Sequence, residues 1–120
     1  MGSDQVFIGK RSSTVYGLTK AAIGQLTKST AIDYAQYNVR VNCICPGTID
    51  TPMLVPSVER FHQTSGLPIE EINEMLVKAQ PVQRLGTPQE IGNAVMFLLS
   101  DDCPFMTGAL VSADGGCTCQ

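Results

Sequence analysis

Two short stretches of strand character, Val39–Cys45 and Ala109–Ala113, are separated by residues 46–108, and that long connection constrains the fold more than any other feature. Antiparallel neighbours are joined by tight turns, whereas parallel neighbours need a crossover of a dozen residues or more, usually helical. The connection here is patterned as helix, so the strands are expected side by side and parallel, as one right-handed crossover. The order along the chain reads helix, strand, helical excursion, helix, strand, which is the order of an α/β protein.

Periodicity places the helices. From about Thr14 to Tyr37, Val15, Leu18, Ala22 and Leu26 recur at gaps of three and four and form one apolar stripe. Gly17, Ala21 and Gly24 form a second stripe, small enough to let another helix approach closely. The alternative is that these are merely tolerated helix positions. The first strand alternates with period two and stops at Pro46-Gly47, which cannot continue a ladder. A loop follows through Thr48, Asp50, Thr51 and Pro52, and residues 53–83 read as a loosely helical insertion. In that insertion Ile72, Met75, Leu76 and Ala79 share a face, with Glu70 and Glu71 in the first turn and Lys78 in the last, as the helix dipole favours. Thr87-Pro88-Gln89-Glu90 is the clearest helix start, with a capping threonine, proline at the first helical position and a glutamate that completes a capping box. Ile91, Ala94, Val95 and Leu98 then make an apolar stripe ending near Ser100.

Composition removes several function classes. The chain has 120 residues, room for one domain, and a formal charge of −3 without a Lys/Arg cluster, a poor basis for neutralising nucleic-acid phosphates. No apolar run approaches the roughly 20 residues that span a bilayer. There is no signal-peptide pattern, and Val6 stands where a myristoylation signal has Ser or Thr, so a cytoplasmic protein is expected. Cys43-x-Cys45 and Cys117-x-Cys119 are spaced more tightly than usual zinc ligands, and with the odd Cys103 they read as apolar filler, not as a metal site or disulfide framework. His62 has no acid or nucleophile near it in sequence and reads as a solvated or packing residue.

The chemistry-bearing pair is Tyr16 and Lys20, four apart and therefore on one face of the first helix. A phenol is a poor base near neutral pH, but a neighbouring ammonium stabilises phenolate and makes proton transfer accessible. Tyr-x-x-x-Lys occurs by chance in many helices, so its context decides. Tyr16-Gly17-Leu18-Thr19-Lys20-Ala21-Ala22 is followed by Asn42-Cys43-Ile44-Cys45-Pro46-Gly47-Thr48-Ile49-Asp50-Thr51-Pro52, then by Arg84-Leu85-Gly86-Thr87-Pro88-Gln89-Glu90-Ile91, Thr107-Gly108 and Asp114-Gly115-Gly116. In this order and at these intervals the blocks resemble the C-terminal half of the short-chain dehydrogenase/reductase family, over essentially the whole chain.

The resemblance implies an α/β fold, the last two strands of a doubly wound parallel sheet of Rossmann type with three or four helices. Residues 1–120 would form a single partial domain, with 53–83 as the substrate lid. It implies an oxidoreductase using NAD or NADP on a small secondary alcohol or ketone, commonly as a homo-oligomer. Tyr16 would exchange a proton with the substrate oxygen, while Lys20 would assist it and hydrogen-bond the nicotinamide ribose. Ser3 lies at the interval of the family's substrate-binding serine, for which Ser12 and Ser13 are too close. Pro46, Gly47 and the backbone of Ile49 would meet the nicotinamide carboxamide, with Thr51 near the carboxamide or pyrophosphate; a glycine turn permits that close approach. One departure stands out, because no strand followed by a G-x-G-x-x-G-like phosphate turn occurs in these residues. An alternative is therefore expected beside the enzyme: an inactive fragment that acts through self-association or by pairing with a full-length relative.

Overall fold

The computed structural model describes residues 1–120. Helix α1 spans Thr14–Tyr34 and ends in a 3-10 turn, Ala35–Tyr37; strand β1 is Cys43–Pro46; α2 is Leu54–Ser65, α3 Ile69–Lys78 and α4 Pro88–Leu99; strand β2 is Leu110–Ala113. The strands pair in parallel, with Cys43 opposite Leu110 and Pro46 opposite Ala113. The long connection thus does what its length requires. No helix is both long and apolar enough to cross a membrane.

The first strand is shorter than its β-rich sequence suggests, and Val39–Asn42 lie outside it. Side chains take over there. The Arg40 guanidinium donates to the carbonyls of Leu98 at 2.9 Å and Ser100 at 2.8 Å, closing the C-terminal end of α4. The Val41 N–H donates to Thr107 Oγ1, and the Asn42 amide accepts from the Ala109 N–H and donates to the Met106 carbonyl. Pro46, expected to end the strand, is its last paired residue, and the Gly47 N–H still donates to Ala113 O at 3.2 Å. On the edge of β1 that β2 leaves free, the Gly2 N–H donates to Ile44 O at 2.8 Å.

The core is thin. Ile44, Ile91 and Leu98 form its centre, with Ala94, Val95, Val111 and Ala113 packed around them, so the α4 stripe faces inward as patterned. Helix α1 departs from its pattern. Gly24, Thr27 and Ala31 are its buried positions, while Val15, Leu18 and Leu26 are 74%, 69% and 65% exposed. The small stripe receives the N-terminal turn and β2 instead of another helix. A Cβ on Gly24 would stand 2.9 Å from Val6 Cγ1 and 3.5 Å from Leu110 Cδ1. In α3, Ile72 is buried but Met75 is exposed, so the inward face is narrower than the sequence stripe. The radius of gyration is 15.9 Å, against about 14 Å for a compact 120-residue domain.

The capping box of α4 forms as expected. Thr87 Oγ1 accepts from the Glu90 N–H and the Glu90 carboxylate accepts from the Thr87 N–H, while Arg84 grips the same carboxylate at 2.6 and 3.0 Å. The Arg84 contacts, then the Thr87 bonds, hold the Glu90 carboxyl at about 2, below its ordinary 4.5. A carboxyl lowered on folding stabilises the fold above its unfolded value, and that stabilisation is lost as pH falls through the folded one. Between pH 4.5 and 2 the native chain should therefore lose more stability than Glu90→Gln, measured as the urea midpoint at each pH. Parallel curves for the two proteins would contradict this. The pair is solvent-exposed, so the effect should weaken in salt.

Candidate active site

A single open cleft of about 1010 Å³ collects Ser3, Tyr16, Lys20, Pro46, Gly47, Ile49 and Thr51, all seven residues singled out from the sequence. It lies beyond the carboxyl end of β1, where open α/β sheets place their ligands. The N-terminal turn and the start of α1 form one wall. Thr51–Leu54, Ser57 and the Pro88–Met96 face of α4 form the other. Met53, Leu54 and Ser57, at the start of the 53–83 segment, thus border the cleft.

Helical spacing sets the central pair. Lys20 Nζ stands 5.5 Å from the centroid of the Tyr16 ring and donates to Met1 O at 3.4 Å. Tyr16 is half exposed, with its ring on the cleft. Ser3 begins a 3-10 turn, Asp4–Val6, and its Oγ accepts from the Gln5 N–H at 3.3 Å. The same Oγ donates to Asp4 Oδ1 at 2.8 Å. Asp4 is 2% exposed and its other oxygen is paired with Lys10 Nζ at 2.5 Å.

Asp4 and Lys10 line the cleft and were not visible as site residues in the sequence. Nothing periodic links a residue in a 3-10 turn with one six positions later. The only signal was an acidic residue directly after Ser3.

At Gly47 the backbone, not a side chain, shapes the site. A Cβ there would stand 2.8 Å from Asp114 Cα and 3.0 Å from Asp114 O, so only glycine lets the ends of β1 and β2 meet. Pro46 and Gly47 also line the cleft, which Asp114 does not. Asp114 in turn accepts from the N–H groups of Gly116 and Thr118, holding the final turn against the strand ends.

The cysteines sit behind this surface. Cys43 and Cys45 are buried with their sulfurs 3.9 Å apart, and burial first, then Cys43, pushes the Cys45 thiol up to about 11. Burial likewise raises the Cys117 thiol, with Lys10 opposing and Asp4 adding. Thiols held protonated in this way are poor nucleophiles and poor metal ligands. His62 is exposed, and its Nδ1 lies 2.6 Å from Leu67 O at the end of α2, away from the cleft.

A family model described as enoyl-(acyl carrier protein) reductase matches residues 1–118. Oxidoreductase UcpA of Escherichia coli (strain K12) is 46% identical over 105 residues, covering 88% of this chain and 39% of that protein. A crystal structure of a short chain dehydrogenase family protein from Francisella tularensis superposes with a TM-score of 0.93 at 46% identity, covering 99% of this chain and 49% of that one. ElxO with NADP bound superposes with a TM-score of 0.81 at 29% identity, covering 99% of this chain and 45% of that one. The chain thus spans less than half the length of these relatives.

Proposed function

The chain belongs to the short-chain dehydrogenase/reductase family, and we propose that its cleft is the substrate end of an NAD(P)-dependent oxidoreductase acting on a secondary alcohol or ketone. The observation that carries this reading is the convergence of Ser3, Tyr16, Lys20 and the Pro46-Gly47 turn on one cleft.

In the oxidative direction an alcohol must lose a proton from oxygen and a hydride from carbon. Tyr16 takes the proton. The Lys20 ammonium, 5.5 Å from the ring, stabilises the negative charge that Tyr16 carries as it does so. Ser3 holds the substrate oxygen by hydrogen bonding, and reduction runs the same transfers in reverse. A nicotinamide supplies the hydride acceptor or donor when it is bound. Pro46, Gly47 and Ile49 would hold its carboxamide end, Lys20 its ribose, and Thr51 the carboxamide or pyrophosphate. Pro46, Gly47 and Ile49 all line the cleft, which puts their main chain within reach of a carboxamide there. Replacing the corresponding half of the Escherichia coli relative by residues 1–120 provides the test. The chimera should oxidise small secondary alcohols with NAD or NADP, and a folded chimera that reduces neither nucleotide would overturn the reading.

The bare face of α1 favours a second role for the chain by itself, self-association or pairing with a full-length relative. Val15, Leu18 and Leu26 lie at helical spacing and are each more than three-fifths exposed, an apolar stripe of the kind that marks a protein interface. Sedimentation should show a dimer or larger species for the native chain and a monomer for Leu18→Lys. Identical sedimentation of the two would remove this role.

A further inference from the structure

We propose that a second cavity, behind Ile49, is a binding site for a small free primary carboxamide, with the Gln80 side chain as its receptor. The cavity holds about 350 Å³ and lies between the turn after α3 and the end of β2. Only Ile49 and Ile91 line both this cavity and the cleft, so it shares none of Ser3, Tyr16 and Lys20.

An unmet hydrogen bond marks the site. Gln80 is 2% exposed and lines the cavity, yet its Nε2 has no partner. The backbone holds the residue in place. The Gln80 N–H donates to Val77 O at 3.1 Å, and the Val82 N–H donates to Gly115 O at 3.2 Å, which ties the turn to the end of β2. Gln80 Oε1 sits 3.5 Å from the point where a Cβ on Gly115, another lining residue, would stand. The amide therefore lies against the cavity wall, enclosed from bulk water. A buried donor left unpaired is costly, and an acceptor brought to it recovers that cost as affinity. One water occupies roughly 30 Å³, far less than this space, which falls at the low end for small-molecule sites.

Charge selects the ligand class. The lining carries the Glu90 and Asp114 carboxylates against the one guanidinium of Arg84, so an anion meets a surplus of negative charge. Those carboxylates are also engaged, Glu90 by Arg84 and Thr87, and Asp114 by the N–H groups of Gly116 and Thr118. A cation finds them taken and has no acceptor to give Nε2. A primary carboxamide is neutral and carries both a carbonyl and N–H groups. Its carbonyl accepts from Gln80 Nε2 while its N–H donates to Oε1. This two-bond pairing of like amides holds in either orientation of the Gln80 amide. Ile49, Val82 and Ala113 supply apolar contact for a short carbon stem.

Propionamide, propionate and propylammonium, nearly equal in size, test this in the 15N-labelled 120-residue chain. Propionamide should shift the Gln80 side-chain NH2 pair and the Gly115 N–H saturably, with a midpoint of about 10 mM. The two ions at equal concentration should shift them less than about a fifth as far, the difference expected for one net hydrogen bond. No saturable shift with propionamide means that the cavity holds water alone and overturns the proposal, and equal shifts from the three probes overturn the ligand class. Gln80→Met keeps the volume and removes both polar atoms, so it should raise the midpoint read at Gly115 about tenfold. An unchanged midpoint overturns the role of Gln80. If that variant does not fold, the comparison of the three probes on the native chain decides alone. Tenfold dilution of the ligand-free chain should leave the Gln80 signal in place, whereas a shift on dilution seats a second copy's side chain in the cavity and overturns a free ligand.

Discussion

NADH and NADPH, titrated into the isolated 120-residue chain and followed by nicotinamide fluorescence, should give no saturable change. Family members seat the pyrophosphate at a helix N-terminus behind a glycine-rich turn, where backbone N–H groups and the helix dipole meet its charge. These residues contain no such turn after a strand. Two of the four helix starts are ill suited to replace it. Helix α4 carries the Glu90 carboxylate on its first turn, already bonded to the Thr87 N–H, and α3 opens with Glu70 and Glu71. On the proposed reading only the nicotinamide end would find a seat, at Gly47, Ile49 and Lys20. A fixed carboxamide contact supplies a small part of the affinity of a dinucleotide, whose immobilisation must be offset by many contacts at once. Binding should appear when the chain is joined to the part of its Escherichia coli relative that it does not cover. Saturable micromolar binding by the isolated chain would contradict this account.

Much of this architecture was legible because the signals were local or tied to fixed spacings. The capping box at Thr87–Glu90, the apolar stripe Ile91–Leu98 and the parallel pairing of two distant strands follow from short patterns and from connection length. The fold class needed the ordered blocks as well, since two strands and four helices alone fit several α/β arrangements. What could not be read was which of the two stripes on α1 this chain itself covers. Its apolar stripe at Val15, Leu18 and Leu26 predicted one face, yet Gly24, Thr27 and Ala31 are enclosed, because Val6 and Leu110 press on the small residues. An apolar stripe reports that a surface seeks cover, not that this chain supplies it. Residues Val39–Asn42 misled for a related reason. Their β-branched character fits a strand, but Arg40 and Asn42 carry side chains that bind the ends of other elements. Those partners lie roughly sixty positions away in sequence. At the cleft, spacing put Tyr16 and Lys20 on one helix face, but they were singled out only by the ordered blocks, as was Gly47. Asp4 and Lys10 were not, since a 3-10 turn gives no periodic mark.

Tyr16→Phe in the chimera should lower turnover by about 10²–10⁴, the range that positioned acid–base groups contribute. The substitution removes one oxygen from a half-exposed ring, so the fold has little to lose. Without the phenol the alcohol proton loses the group proposed to take it. Ser3 cannot replace it, because a serine hydroxyl is too weakly basic to take the proton, and Lys20 is a cation with no lone pair to offer. Lys20→Met should act more mildly on the chemical step and also weaken nicotinamide binding, since one ammonium serves both.

The measurement closest to the central claim is the rate of nicotinamide reduction by the chimera with a secondary alcohol, native against Tyr16→Phe, at saturating nucleotide. The account predicts steady reduction by the native sequence, a loss of about two to four orders of magnitude in kcat for the variant, and unchanged nucleotide affinity. A Tyr16→Phe chimera that binds nucleotide normally and turns over at the native rate would contradict it.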